Sequence, residues 1–107
     1  MSTTLLYVTT SDRDAAARLG RVVVEERLAA CANVIPGVSS IYIWEDELRE
    51  DEEAVLILKT KDDLVESLIE RVKDLHDYEC PCVVALSIVG GNQAFLDWVD
   101  GETHLQA

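Results

Sequence analysis

The sequence predicts one α+β domain, residues 1–107, with its elements in the order βαββαβ and a short helix at the end. Three observations carry this. Apolar runs of strand length are separated by stretches whose apolar residues recur at helical spacing. A chain of 107 residues suits one domain and leaves no room for a second. Hydrophobic residues make up 49% of it, enough for a core and too many for a disordered tail. Since only 6% are aromatic, that core must be mostly Val, Leu, Ile and Ala.

Thr3 to Thr9 contains Leu5, Leu6, Tyr7 and Val8, which read as a buried strand. Ser11 precedes Asp14 by three, a capping-box-like start with Ser11 as the acceptor. Ala15, Ala16, Leu19, Val22 and Val23 follow at helical spacing, and the helix is expected to run to about Leu28. Cys31 to Ile35 begins a second strand, Pro36-Gly37 interrupts it as a bend or bulge, and Val38 to Trp44 resumes it. Asp46-Glu47 reads as a hairpin tip, and Val55 to Leu58 as the return strand.

Thr60, three residues before Asp63, resembles a second capping box. Leu64, Val65, Leu68, Ile69, Val72 and Leu75 then mark one helical face, while Asp62, Glu66, Glu70 and Asp74 form a solvated acidic stripe on the other. Val83 to Val89 is the last strand. Gly90-Gly91 is a turn, and Asn92 caps a short helix through Trp98.

This order is the ferredoxin-like, split βαβ pattern, with two helices on one face of an antiparallel sheet. A solvated second face requires polar residues at alternate positions. Leu5 to Val8 and Val55 to Leu58 are instead apolar in both directions. At about 25 cal/mol per Å², leaving several such side chains wet forfeits several kcal/mol. The bare face is therefore expected to pack against other copies of the chain.

Asp and Glu total 21 against 9 Lys and Arg, a net charge of -12. A field of that sign repels phosphate backbones and anionic lipid, so nucleic acid and membranes are not expected partners. Cations are. A solvated, salt-adapted surface accounts for the same charge. No apolar run approaches the ~20 residues of a membrane span, and no segment resembles a signal peptide. Three cysteines do not form a disulfide framework. A cytoplasmic location with reduced thiols is expected.

One long pattern runs through these elements. It comprises Glu26-Arg27-Leu28-Ala29-Ala30-Cys31, Asn33, Pro36-Gly37, Ser40, Tyr42, Trp44-Glu45, Lys59-Thr60, His76, Tyr78-Glu79 and Pro81. The pattern resembles the CutA family of divalent-ion tolerance proteins, over nearly the whole chain from Val8 to about Trp98. The resemblance implies a ferredoxin-like fold, a tight homotrimer akin in architecture to the PII signalling proteins, and a link to copper and other divalent ions. The chain departs at His76-Asp77-Tyr78, where members often read His-Pro-Tyr, and at Trp44-Glu45-Asp46, where they usually read Trp-Glu-Gly. Copper ligands assigned in some members, a first-strand Cys and two adjacent His, match Val8, Leu75 and His76 here, so only His76 keeps a donor.

His76, Glu79, Cys80 and Cys82 lie within seven residues, and thiolate with imidazole suits copper or zinc. Cys80-Pro81-Cys82 is C-x-C rather than the C-x-x-C of structural zinc sites, and two unused thiols beside a loop histidine account for it too. Cys31 is a further candidate donor or a small buried hydrophobe. Lys59 is either an anchor for an anion or for an acid such as Glu53 of another copy, or a bland surface lysine. Tyr42, Trp44 and Tyr78 are candidates for a cleft or contact between subunits. Glu52-Glu53 reads as surface charge.

No nucleophile elbow, phosphate-binding lysine loop or G-x-G-x-x-G is present, so neither an enzyme nor an organic cofactor is expected. The expected function is a homotrimeric divalent-metal tolerance protein that binds copper or a similar cation. A PII-like trimeric signalling or scaffold protein, with a small molecule or a protein partner in its inter-subunit clefts, is the alternative.

Overall fold

In the computed structural model, which describes residues 2–105, β1 is Thr3–Thr10, α1 Arg13–Glu25, β2 Cys31–Trp44 and β3 Glu47–Lys61. A 3-10 turn over Asp62–Leu64 leads into α2, Val65–Leu75; β4 is Val83–Ile88 and α3 Gln93–Gly101. The strands form one antiparallel sheet in the order β2-β3-β1-β4. Each βαβ unit is thus split by a strand of the other, as the order of elements predicts.

The two-residue alternation of the strands sorts the core. Leu6 and Val8 of β1 pair with Leu58 and Leu56 of β3, which pair onward with Ala32 and Val34 of β2. All of these lie on one face, where Ala16, Leu19 and Val23 of α1 and Leu68 and Val72 of α2 cover them. Asp62, Glu66, Glu70 and Asp74 are exposed, as expected, and Asp62 accepts from the hydroxyl of the buried Thr4. The bidentate pair of Arg71 with Glu26, 2.8 Å for each bond, ties α2 to the end of α1 and holds the Glu26 carboxyl below its ordinary value.

Leu5, Tyr7, Ile57, Val84 and Leu86 occupy the opposite face. There α3 contacts β1 and β3 and buries Val99, yet Val84 and Leu86 stay 49% and 51% exposed. The chain alone leaves much of this face uncovered.

The Pro36-Gly37 bulge sets where the aromatic residues of β2 point. Between Ile35 and Val38 the partner strand advances by one residue fewer, and Gly37 takes φ +70°, which glycine adopts without strain. The extra residue reverses the alternation. Tyr42 and Trp44 therefore share the face away from α1 and α2 with Asn33 and Ile35.

Four local expectations need correction. The α1 cap is Asp12, not Ser11: Asp12 is extended, its carboxylate accepts from the Ala15 N–H at 2.8 Å, and a negative charge there also suits the helix dipole. The helix stops at Glu25 rather than Leu28, because Arg27 turns left-handed (φ 65°) and the Leu28 N–H returns to the Val23 carbonyl. Thr60 is not a cap; it ends a strand, fully buried, and its hydroxyl has no partner among the described residues. Finally, β3 is far longer than Val55–Leu58. Its acidic half, Glu47 to Glu53, pairs with β2 through backbone bonds that no side-chain pattern announces.

The long β2–β3 hairpin turns at Glu45 and Asp46, both left-handed, one residue before the expected tip. It projects beyond the helices, leaving Ile41, Ile43 and Leu48 65–66% exposed. The Cα radius of gyration, 14.3 Å, accordingly exceeds the roughly 13 Å of a compact chain this long.

Gly20 marks the closest approach of α1 to the sheet. A Cβ built there would stand 2.9 Å from Ala32 Cβ and 3.1 Å from Leu56 Cδ1. Gly20→Ala gains about 1 kcal/mol of helix propensity, but overpacking a core costs about 1–3 kcal/mol. A net loss of stability is expected in urea unfolding at fixed protein concentration; a gain would show that α1 has room to move.

Candidate functional site

On the side away from α1 and α2, the outer half of the hairpin and the loop between α2 and β4 enclose a groove of about 550 Å³. The bulge aims Tyr42 and Trp44 into it, and the register places Arg49 beside Tyr42 and Glu53 four rungs further in. The loop supplies Tyr78, Glu79, Cys80 and Cys82.

The loop is fastened on both sides of the thiols. The His76 ring accepts from the Tyr78 N–H through Nδ1 at 3.1 Å, so its proton sits on Nε2, which donates to the Thr9 carbonyl at 2.7 Å. The Tyr78 ring packs on His76 with centroids 4.7 Å apart, and its hydroxyl donates to Glu53 at 2.6 Å. Past the thiols, the Thr9 N–H donates to the Cys82 carbonyl at 3.3 Å. Tyr42 donates to Asp51, two rungs along β3 and opposite Ser40. Burial, then the bond to Glu53, raises Tyr78 above the ordinary phenol value; the bond to Asp51 is the main cause raising Tyr42.

Of the residues singled out in the sequence, Glu79, Cys80, Cys82, Tyr42, Trp44 and Tyr78 meet at this groove. His76 braces the loop from behind with both ring nitrogens engaged. Cys31 and Lys59 face each other on neighbouring strands four rungs along β1 and β3 from the Thr9 level, a separation of roughly 13 Å at 3.3 Å per residue. Lys59 donates to Asn33 Oδ1 at 2.8 Å and approaches the Cys31 sulfur to 4.0 Å. Among the described residues no three side chains of His, Cys, Asp and Glu converge on one point. The described residues of one chain therefore do not bring together three such side-chain donors for a zinc ion or a hard divalent ion.

Glu53 is the correction on the other side. It is half-buried and accepts from Tyr78, whereas its neighbour Glu52 is exposed surface charge. Arg49 and Asp51 were not singled out either. Their signal is the two-residue spacing 49, 51, 53, which puts them on one face opposite Tyr42 and Ser40 once the strand is known to be long.

Residues 4–102 match the family described as CutA1 divalent ion tolerance protein. The chain is 42% identical over 99 residues to "Protein CutA 1, chloroplastic" of Oryza sativa subsp. japonica, covering 92% of this chain and 56% of that protein. It thus spans little more than half the length of that plant relative. It is 43% identical over 99 residues to the divalent-cation tolerance protein CutA of Thermus thermophilus, covering 92% and 96%. The crystal structure of CutA1 from Oryza sativa superimposes with a TM-score of 0.94 at 40% identity, covering 97% of this chain and 95% of that one.

The Tyr78 geometry sets a pH dependence. A phenol whose value is raised in the folded state contributes its full stability below the unfolded value near 10, and loses it as pH rises through the folded value. Tyr78→Phe is expected to cost about 1 kcal/mol at neutral pH, and this difference should shrink above pH ~10. Urea unfolding of both proteins across that range tests it; a constant difference would contradict the bond to Glu53.

Proposed function

We propose a function from one premise: this chain belongs to the CutA1 divalent ion tolerance family. It serves divalent-ion tolerance in the cytoplasm as a homotrimer, takes up copper or a similar divalent cation, and carries out no catalysis of its own.

The observation that carries the assembly is the uncovered face. Val84 and Leu86 of β4, Ile35 and Trp44 of β2 and the two-sided apolar hairpin tip are exposed in the isolated chain. Such a surface is stabilised by burial against copies of itself, and closed rotational symmetry lets every copy bury the same patch. The cation reading is supported by the net charge of -12, which draws cations toward the molecule, and by the thiols and carboxylates that line the groove. An ion that requires three or more donors must take the remainder from a neighbouring copy, since the described residues of one chain do not supply them.

The other contents of the groove favour a second reading. Tyr42, Trp44 and Tyr78 with Arg49 offer aromatic faces and a guanidinium, which suit a small molecule or a partner segment in a PII-like signalling or scaffold trimer.

Native mass spectrometry under reducing conditions, with and without Cu(I), Cu(II) and Zn(II), tests the proposal. The expected result is a trimer that takes up a fixed whole number of one ion, and a monomer with unchanged far-UV circular dichroism when Leu86→Asp places a charge on the uncovered face. A trimer that takes no ion would move the function to the second reading, and a wild-type monomer would overturn the assembly.

A further inference from the structure

Cys80 and Cys82 are both free, both exposed and both on the wall of the groove. Pro81 between them fixes its own φ near -65° and pushes the preceding residue toward extended backbone. Both cysteines line the same cavity. The segment is pinned at Tyr78 by Glu53 and His76, and at Cys82 by Thr9. The thiols thus sit on a short bracket fastened at its two ends.

We propose that Cys80 and Cys82 form a two-thiolate site for a soft, two-coordinate ion of the Cu(I) type, in preference to the divalent ions of the family description. This rests on the reading of the groove as the place where an ion is held, and adds which ion the chain's own donors select. Three observations converge on it. The pair has no third His, Cys, Asp or Glu donor in its cluster among the described residues. His76, the nearest imidazole in sequence, has its lone pair engaged by the Tyr78 N–H and its proton by the Thr9 carbonyl. Two thiolates without further donors suit a soft ion and leave a borderline or hard divalent ion under-coordinated.

Both thiols are free rather than joined in a disulfide. A linear sulfur–metal–sulfur unit with bonds of roughly 2.3 Å holds its sulfurs about 4.6 Å apart, against about 2 Å in a disulfide. On binding, each thiol releases its proton to solvent and its sulfur lone pair forms the bond to the ion; no electron is transferred. Glu53 and Glu79 in the same groove add negative charge that favours the incoming cation.

The test is competition for Cu(I), held under anaerobic reducing conditions by a chromophoric Cu(I) chelator, using the full chain and its Cys→Ser variants. One Cu(I) per chain is expected for the wild type and for Cys31→Ser. Cys80→Ser and Cys82→Ser should each weaken uptake by about 100-fold or more, because either change destroys the chelate. Parallel titration with Zn(II) should give weaker binding. Uptake unchanged in the Cys80→Ser, Cys82→Ser double variant, uptake that follows Cys31, or tighter Zn(II) than Cu(I) would overturn the assignment. Zn(II) or Cu(II) uptake without Cu(I) would overturn this inference and leave the proposed function standing. A protein that takes none of these ions would overturn both.

Discussion

The rest of the structure depends on a sheet whose central strands are apolar on both sides while both long helices lie on one. Leu6 and Val8 look toward α1 and α2; Leu5 and Tyr7, their neighbours in sequence, look the other way, as do Ile57 beside them and Leu86 beyond. A split βαβ topology forces this asymmetry, since both crossovers pass over the same face. α3 is too short to cover the remainder and buries Val99 alone. The helix-covered face makes the domain, and the other face, left wet at a cost of several kcal/mol, is the surface that the proposed homotrimer would bury.

The bulge at Pro36-Gly37 connects that constraint to the groove. One extra residue turns Tyr42 and Trp44 onto the face away from α1 and α2, and the length of the hairpin carries them past those helices. The groove therefore lies where the uncovered sheet meets the loop before β4. One hydrogen bond donated and one accepted by the His76 imidazole, with one donated by the Tyr78 phenol, hold that loop. Its thiols are consequently presented from a fixed support, although the loop has no regular secondary structure.

Much of the fold is legible in the residues. The apolar runs, the helical faces of α1 and α2, the Asn92 cap and the bulge all appear where their patterns place them. What is not legible has a common cause. The acidic half of β3 and the left-handed turn at Glu45-Asp46 are held by backbone pairing to β2, which leaves no mark on side-chain periodicity. Asp12 replaces Ser11 as the α1 cap because adjacent residues compete for one role and backbone geometry decides. At the site, the aromatic residues and the two nearby thiols could be picked out by type, but His76 could not. An imidazole near cysteines reads as a ligand until both nitrogens are seen to be spent on the main chain. Glu53 likewise reads as surface charge until Tyr78 is seen to donate to it.

The central claim is that the second face of the sheet is buried between copies, and small-angle X-ray scattering across a dilution series addresses it most directly. A homotrimer of 107-residue chains is predicted to give a radius of gyration of about 20 Å that holds down to low concentration. A concentration-independent value near the 14.3 Å of the single chain, with the forward scattering of one copy, would contradict it.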